Sequence, residues 1–130
     1  MQSKIYDEVK TNSHELVKKE NQFMVVVPRS DVYETKDHFT VLLEMPGVTK
    51  DGLKVYVENR HLVIEGISQH NVEGELVMSE IFKRNYRRVF KLSSTVNTDS
   101  VEAKWQDGLL YVKLTKLEAA KPKEINIQFN

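Results

Sequence analysis

The sequence predicts an all-β fold, an immunoglobulin-like antiparallel β-sandwich of about eight short strands. Hydrophobic and polar residues alternate with a period of two in several runs, as expected for half-buried strands. Turn-forming pairs such as Pro46-Gly47 and Asp107-Gly108 separate these runs. Long helical patterns are missing, so two sheets packed face to face are the architecture that fits.

The composition is that of a single domain without thiol chemistry. The 130 residues carry 19 basic and 19 acidic side chains, so the formal net charge is zero and nothing favours a nucleic-acid partner. There is no Cys, which excludes a disulfide framework and thiolate catalysis. Apolar runs are too short to span a membrane, and the N-terminus lacks the apolar stretch of a signal peptide. We therefore expect a cytoplasmic protein without a membrane partner.

The predicted N-terminal arm covers residues 1–28. The one-turn spacing of Ile5 and Val9 permits a short amphipathic helix, although a frayed or partner-dependent arm fits the low apolar content at least as well. Residues 23–27 are then an abrupt apolar run that ends at a proline. This run is either an edge strand or a segment that packs on another chain.

Strands fill the predicted domain, residues 29–116. Asp107-Gly108 joins the last two strands as a hairpin, because a type I′ turn needs positive φ and Gly adopts it without steric cost. The polar residues 68–75 are a predicted loop, and residues 93–100 are a predicted polar connection. The β-prone segments are 31–34, 39–45, 53–58, 61–67, 76–82, 86–92, 101–105 and 111–115.

The predicted C-terminal extension covers residues 117–130. A polar linker there ends in Ile125-Asn126-Ile127. Residues at i and i+2 of an extended segment point to the same side, so Ile125 and Ile127 form an apolar pair. We interpret this pair as a plug for a groove rather than as part of the chain's own core.

Four features, in this order, resemble the α-crystallin domain of small heat shock proteins of bacterial or archaeal type. Met45-Pro46-Gly47-Val48 is similar to the family's turn after its third strand. The strand at 86–92, with Arg88 at its centre, resembles the family's basic strand. Residues 103–110 resemble the family's last hairpin, and Ile125-Asn126-Ile127 resembles its C-terminal anchor.

This resemblance implies an ATP-independent holdase chaperone, without cofactor or enzymatic activity, that binds partly unfolded clients and prevents their aggregation. Proteins of this type dimerise by exchanging a strand carried in a long loop. We therefore expect residues 76–81 to pair with residues 31–34 of a second copy, and Arg88 to meet an acidic side chain across that interface. The residues assigned to this exchange are Leu76, Val77, Met78, Ile81, Asp31, Val32, Tyr33 and Arg88.

The same resemblance implies higher homo-oligomers held by the C-terminal pair. Ile125 and Ile127 of a neighbouring subunit would fill an apolar groove between two sandwich edges, and the vacated groove would cover a client segment together with the apolar run at 23–27. The groove and client-binding residues are Leu53, Val55, Val57, Val101, Ala103, Trp105, Phe23 and Val25.

Other functions are weaker interpretations of the same residues. The four His residues lack metal-ligand spacing, so we expect no metal site. A cluster of basic residues around Arg87 suits nucleic acid, but strand alternation and the balanced charge favour a solvated or dimer-facing surface. The alternative function is a co-chaperone-like or scaffolding module that binds one defined protein partner and stays monomeric.

Overall fold

The computed structural model describes residues 5–8 and 23–130, and the regular structure there is almost entirely β. Residues 1–4 and 9–22 of the expected arm lie outside the described residues. The nine strands of the described part, followed by one 3₁₀ turn, are β1 (Ile5–Glu8), β2 (Phe23–Val26), β3 (Ser30–Glu34), β4 (His38–Glu44), β5 (Val48–Glu58), β6 (His61–Ser68), β7 (Lys83–Leu92), β8 (Val96–Gln106), β9 (Leu109–Lys116) and Glu118–Ala120.

Two sheets form the predicted β-sandwich, and the predicted fold class is confirmed. The first sheet has the order β1-β7-β6-β5, and β2 also pairs with β7. The second sheet has the order β3-β4-β9-β8. Neighbouring strands are antiparallel, except that β2 runs parallel to β7.

The core lies between the sheets and is built from the inward positions of alternating strands. Val41 and Leu43 of β4 are fully buried, as are Leu62 and Ile64 of β6. Leu110, Val112 and Leu114 of β9 complete this central layer. Each truncation of such a Leu or Ile to Ala costs about 2–5 kcal/mol, because a cavity is left in a close-packed interior.

The turns confirm the hairpin predicted from the sequence. Asp107 and Gly108 both have positive φ, 53° and 77°, as a type I′ turn requires. Asn59 and Arg60 also have positive φ, 50° and 59°, between β5 and β6. The backbone twist of such turns matches the right-handed twist of the strands that they join, so both turns favour strand pairing.

The observed strands depart from the predicted bounds in several places. Ile5–Glu8 is a strand paired with β7, where the sequence permitted a short helix or a frayed or partner-dependent arm. Residues 96–100 belong to β8 and not to a loop, because a register shift after Val96 accommodates its polar residues in the strand. Residues 69–82 contain no strand within one chain, and the strand expected at 76–81 in a pair with a second copy stays a prediction.

The apolar run before the proline is an edge strand, the first of its two interpretations. Phe23 to Val26 lie opposite Lys83 to Tyr86 of β7 in parallel register. Val26 packs against the core, and Val25 is half-buried. This pairing fixes β2 along the edge of β7 that faces away from β6.

Candidate assembly and client-binding surfaces

On one side of the sandwich, the two sheets are linked to each other. β2 of the first sheet continues into β3 of the second through residues 27–29 alone. Arg88 of β7 donates hydrogen bonds to the Pro28 carbonyl oxygen at 2.7 Å and to Ser30 Oγ at 3.1 Å. Strands β7 and β3 therefore lie on the same side of the sandwich.

Arg88 points inward and is held inside its own chain. Its guanidinium lies 5.0 Å from the centre of the Phe90 ring, a cation–π distance. These contacts join β7 to the β2–β3 connection. The acidic partner expected across a dimer interface is not tested by them and stays a prediction.

The opposite side is formed by β5 and β8, the last strands in the order of their sheets. Because β7 and β3 share the linked side, the free edges of β5 and β8 face one another. Within the described residues, β5 pairs only with β6 and β8 only with β9. We call this side the groove edge.

The groove edge brings together the six residues predicted for it from β5 and β8. The three residues on β5, together with Val101 and Trp105 on β8, are half-buried and pack against the core. Ala103 of β8 is exposed and lies opposite Val112, which places it on the same inward face. The residues are Leu53, Val55, Val57, Val101, Ala103 and Trp105.

The other predicted surface is the outer edge of β3 together with the long loop at 69–82. β3 pairs with β4 on one side only in the described part of the chain, and its Val32 and Tyr33 are exposed. The loop exposes Val77 by 94% and also exposes Leu76, Met78 and Ile81. Exposed aliphatic side chains gathered in one short segment are typical of a surface that binds another polypeptide.

Lys116 is a structural residue that the sequence did not reveal. Its side chain is 8% exposed, donates a hydrogen bond to Glu34 Oε2 at 2.8 Å and lies 5.0 Å from the centre of the Phe39 ring. The pair joins the end of β9 to the end of β3. Since 82 positions separate the two residues, no sequence pattern signals the contact.

The large apolar side chains of the C-terminal extension are exposed to solvent. Ile125 and Ile127 are 81% and 73% exposed, and their role as a plug for a groove stays a prediction. Phe129 is also exposed and continues the i, i+2 spacing, so the sequence itself indicates a third apolar position on this side of the tail. Upstream, Lys121 donates to Glu118 Oε1 at 2.9 Å, and this hydrogen bond raises the pKa of Lys121.

The basic side chains of β7 are divided between the two faces of the strand. Arg87 faces outward and lies 3.6 Å from Glu65, whereas Arg88 faces inward. Elsewhere on the surface, Glu44 accepts a hydrogen bond from Arg29 at 2.6 Å, which raises the pKa of Arg29. Such splitting and pairing disfavour a continuous cationic surface for nucleic acid.

The described residues form no cluster of three or more His, Cys, Asp or Glu side chains able to hold a metal ion. Across the same part of the chain, no helix is both long and apolar enough to cross a bilayer. The surfaces that remain are the two open edges, the apolar loop and the apolar tail. A sandwich with these features defines a class of β-sandwich proteins that bind other polypeptide segments.

Comparison with known proteins identifies this class. The model of the Hsp20/alpha crystallin family matches residues 31–130, well over half of the chain, and the chain belongs to that family. The earlier resemblance is thereby confirmed, and with it the role of a small heat shock protein, a chaperone.

Individual relatives cover most of the chain. It is 31% identical over 99 residues to the probable 15 kDa heat shock protein of Leptospira interrogans, covering 75% of this chain and 76% of that protein. It is 32% identical over 130 residues to the 17.6 kDa class II heat shock protein of Arabidopsis thaliana, covering 94% and 83%. The solved heat shock protein 16.0 of Schizosaccharomyces pombe superposes with a TM-score of 0.61 at 29% identity, covering 81% and 99%.

Proposed function

We propose that this chain is an ATP-independent holdase that binds partly unfolded proteins, prevents their aggregation and works as a homo-oligomer built from dimers. One observation supports the proposal most strongly. Apolar side chains are exposed in two segments outside the sandwich, the loop at 69–82 and the tail at 125–129. Two sandwich edges of the described chain, at β3 and at the groove edge, are available to receive such segments.

The proposed dimer forms by strand exchange at β3. Residues 76–81 of one copy add to the open edge of the partner's β3, where Asp31, Val32 and Tyr33 are exposed. Backbone hydrogen bonds and the burial of Val77 then offset the cost of ordering the loop. Exchange in both directions gives a two-fold dimer, because each copy supplies one loop and one edge.

The proposed higher assembly uses the groove edge. Ala103 lies between Val101 and Trp105 on β8, and its small side chain leaves room for an incoming aliphatic group. Fully burying Ile125 and Ile127 contributes about 3–6 kcal/mol at most, and ordering the linker offsets part of it. A single contact of this size has a dissociation constant on the order of millimolar to tens of micromolar.

Weak contacts of this kind suit a holdase. Repetition around an oligomer keeps the assembly together through effective concentration, while each tail opens and closes independently. A vacated groove and the β2 run around Phe23 and Val25 then cover apolar segments of a client. Neither step consumes a nucleotide.

The test is suppression of aggregation of a heat-labile protein in the absence of ATP, followed by light scattering. We expect protection near one subunit per client molecule and a native mass of at least a dimer. No protection at several-fold molar excess, together with a monomeric mass, would instead favour a scaffolding module that binds one defined partner.

A further inference from the structure

Two contacts near the ends of β7 show which of its residues direct their backbone hydrogen bonds toward β6. The Leu92 N–H donates to the Arg60 carbonyl oxygen at 2.8 Å, and the Arg84 N–H donates to Ser68 Oγ at 2.7 Å. Both acceptors lie on the β6 side, in the same register as the β6–β7 pairs. Because successive residues of a strand direct their backbone groups to opposite sides, Val89 and Lys91 direct theirs away from β6.

β1 occupies that second side in antiparallel register. Tyr6 lies opposite Lys91, and Glu8 lies opposite Val89. These are therefore the two hydrogen-bonded pairs, in which the backbone N–H groups of β1 donate to β7 carbonyl oxygens. Asp7, opposite Phe90, directs its own N–H away from β7.

The pairing of β1 is short and separable from the rest of the sheet. Four residues form few hydrogen bonds, and the entropy lost in ordering them is of similar size to the net gain. Glu8 and Phe23 lie opposite Val89 and Lys83, six residues or about 20 Å apart along β7. The 14 residues between them reach about 46 Å when extended, so β1 can leave without moving β2.

We propose that the 89–92 edge of β7 is a binding site for an extended segment of a partly unfolded client, and that the chain's own Ile5–Glu8 closes it. The client adds as an antiparallel strand through the backbone groups of Val89 and Lys91, a recognition mode that accepts many sequences. This site lies at β7, on the side of the sandwich opposite the groove edge, and goes beyond the proposed function.

The chemistry of the preferred client segment follows from the face that it would share. Phe90 and Leu92 are buried and point into the core, so the residues opposite them lie on the inward face. Two apolar residues at i and i+2 therefore suit the edge. The register pairs Ile5 with Leu92 and Asp7 with Phe90, so a client segment with apolar residues at both positions differs from the chain's own sequence at the second of them.

Two proline variants separate the hydrogen-bonded from the non-bonded positions of β1. Tyr6→Pro removes an N–H that bonds to β7, whereas Asp7→Pro removes one that points away and is tolerated at an edge strand. In Tyr6→Pro, we expect the amides of Val89 and Lys91 to exchange with solvent about tenfold faster, because they lose their strand partner. The Leu92 amide, bonded toward β6, keeps its exchange rate, and Asp7→Pro behaves like the parent chain.

Binding in trans tests the site itself. The probe is a fluorescent peptide with the sequence of residues 3–10 in which the position of Asp7 carries Leu. We expect it to bind Tyr6→Pro at least about fivefold more tightly than the parent chain or Asp7→Pro, because opening the edge raises the competent fraction. Equal affinities for the three chains, or equal exchange rates at Val89 and Lys91, would overturn the proposal. Neither readout depends on client aggregation, so holdase activity and this site can fail separately.

Discussion

At the scale of single residues, the buried Lys116 links the end of β9 to the end of β3, and we call its contact with Glu34 the strut. Its side chain is largely buried, and its ammonium group has Glu34 and the Phe39 ring as neighbours. An enclosed charge is tolerated only where hydrogen bonds and a counter-charge compensate the lost hydration. The contact therefore fixes the end of β3, the strand whose outer edge is proposed to receive a partner.

Replacing Lys116 by Met tests this strut. Met keeps the length and apolar character of the side chain but loses the hydrogen bond and the charge. We expect a loss of about 1 kcal/mol in the free energy of unfolding, modest because Glu34 is half-exposed, measured by urea denaturation. Lys121→Met, which removes an exposed ion pair with Glu118, is the control and should leave the midpoint unchanged. Equal midpoints for both variants would show that Lys116 contributes nothing.

At the scale of elements, the loop at 69–82 offers a matched pair of positions. Val77 lies inside the proposed exchange segment and is 94% exposed, whereas Val72 lies outside it and is 85% exposed. Their similar exposure in the single chain means that neither substitution disturbs the core. A difference between them in assembly therefore reports contact with a second copy.

Val77→Glu should convert the dimer to monomers, because the exchange would bury an unpaired carboxylate against the partner's β3. Val72→Glu should keep the dimeric mass. Native mass spectrometry at low micromolar concentration distinguishes the two. A dimer that persists in Val77→Glu, at unchanged stability, would place the subunit interface elsewhere.

The tail supports a second prediction at this scale. Replacing both Ile125 and Ile127 by Ala removes the apolar pair, so the assembly should fall to dimers and protect clients less well, as seen in native mass and light scattering. Asn126→Ala with Gln128→Ala changes only the alternate positions and serves as the control. Unchanged mass and protection in the Ile double variant would refute the proposed anchor.

At the scale of the whole molecule, the two proposed contacts differ in strength. Strand exchange engages a loop and an edge from each copy, whereas one tail inserts two Ile side chains. We therefore expect dilution to dissociate the oligomer first into dimers, and only at far lower concentration into monomers. Light scattering coupled to size-exclusion chromatography over a concentration series measures both steps. Direct dissociation into monomers would show that the two contacts have similar strength.

Much of the fold was predictable because its local signals agree. Period-two alternation located the central strands, and Asp107-Gly108 located the last hairpin, since positive φ is a property of a few residue types. The strand at 96–100 was not predicted because polar residues fill the half of β8 before its register shift. β1 was not predicted as a strand because its four residues of mixed polarity acquire strand structure only from the neighbouring β7.

The candidate surfaces divide in the same way. The apolar residues of the groove, loop and tail were visible as side chains in a pattern, because hydrophobicity and spacing are local properties. Their joint use was expected only from the family resemblance and not from the residues themselves, since it depends on which edges lie side by side in space. Only the order of strands within the two sheets shows that β5 and β8 face one another.

The sequence by itself determined an all-β chain, its main turns, an apolar tail and the family to which these motifs belong, because each depends on residues close together along the chain. Only the tertiary structure decided the contacts between distant positions. The Lys116–Glu34 strut, the bonds from Arg88 to the β2–β3 connection and the occupant of the β7 edge arise when the sheets stack. Stacking brings together residues that no sequence spacing relates.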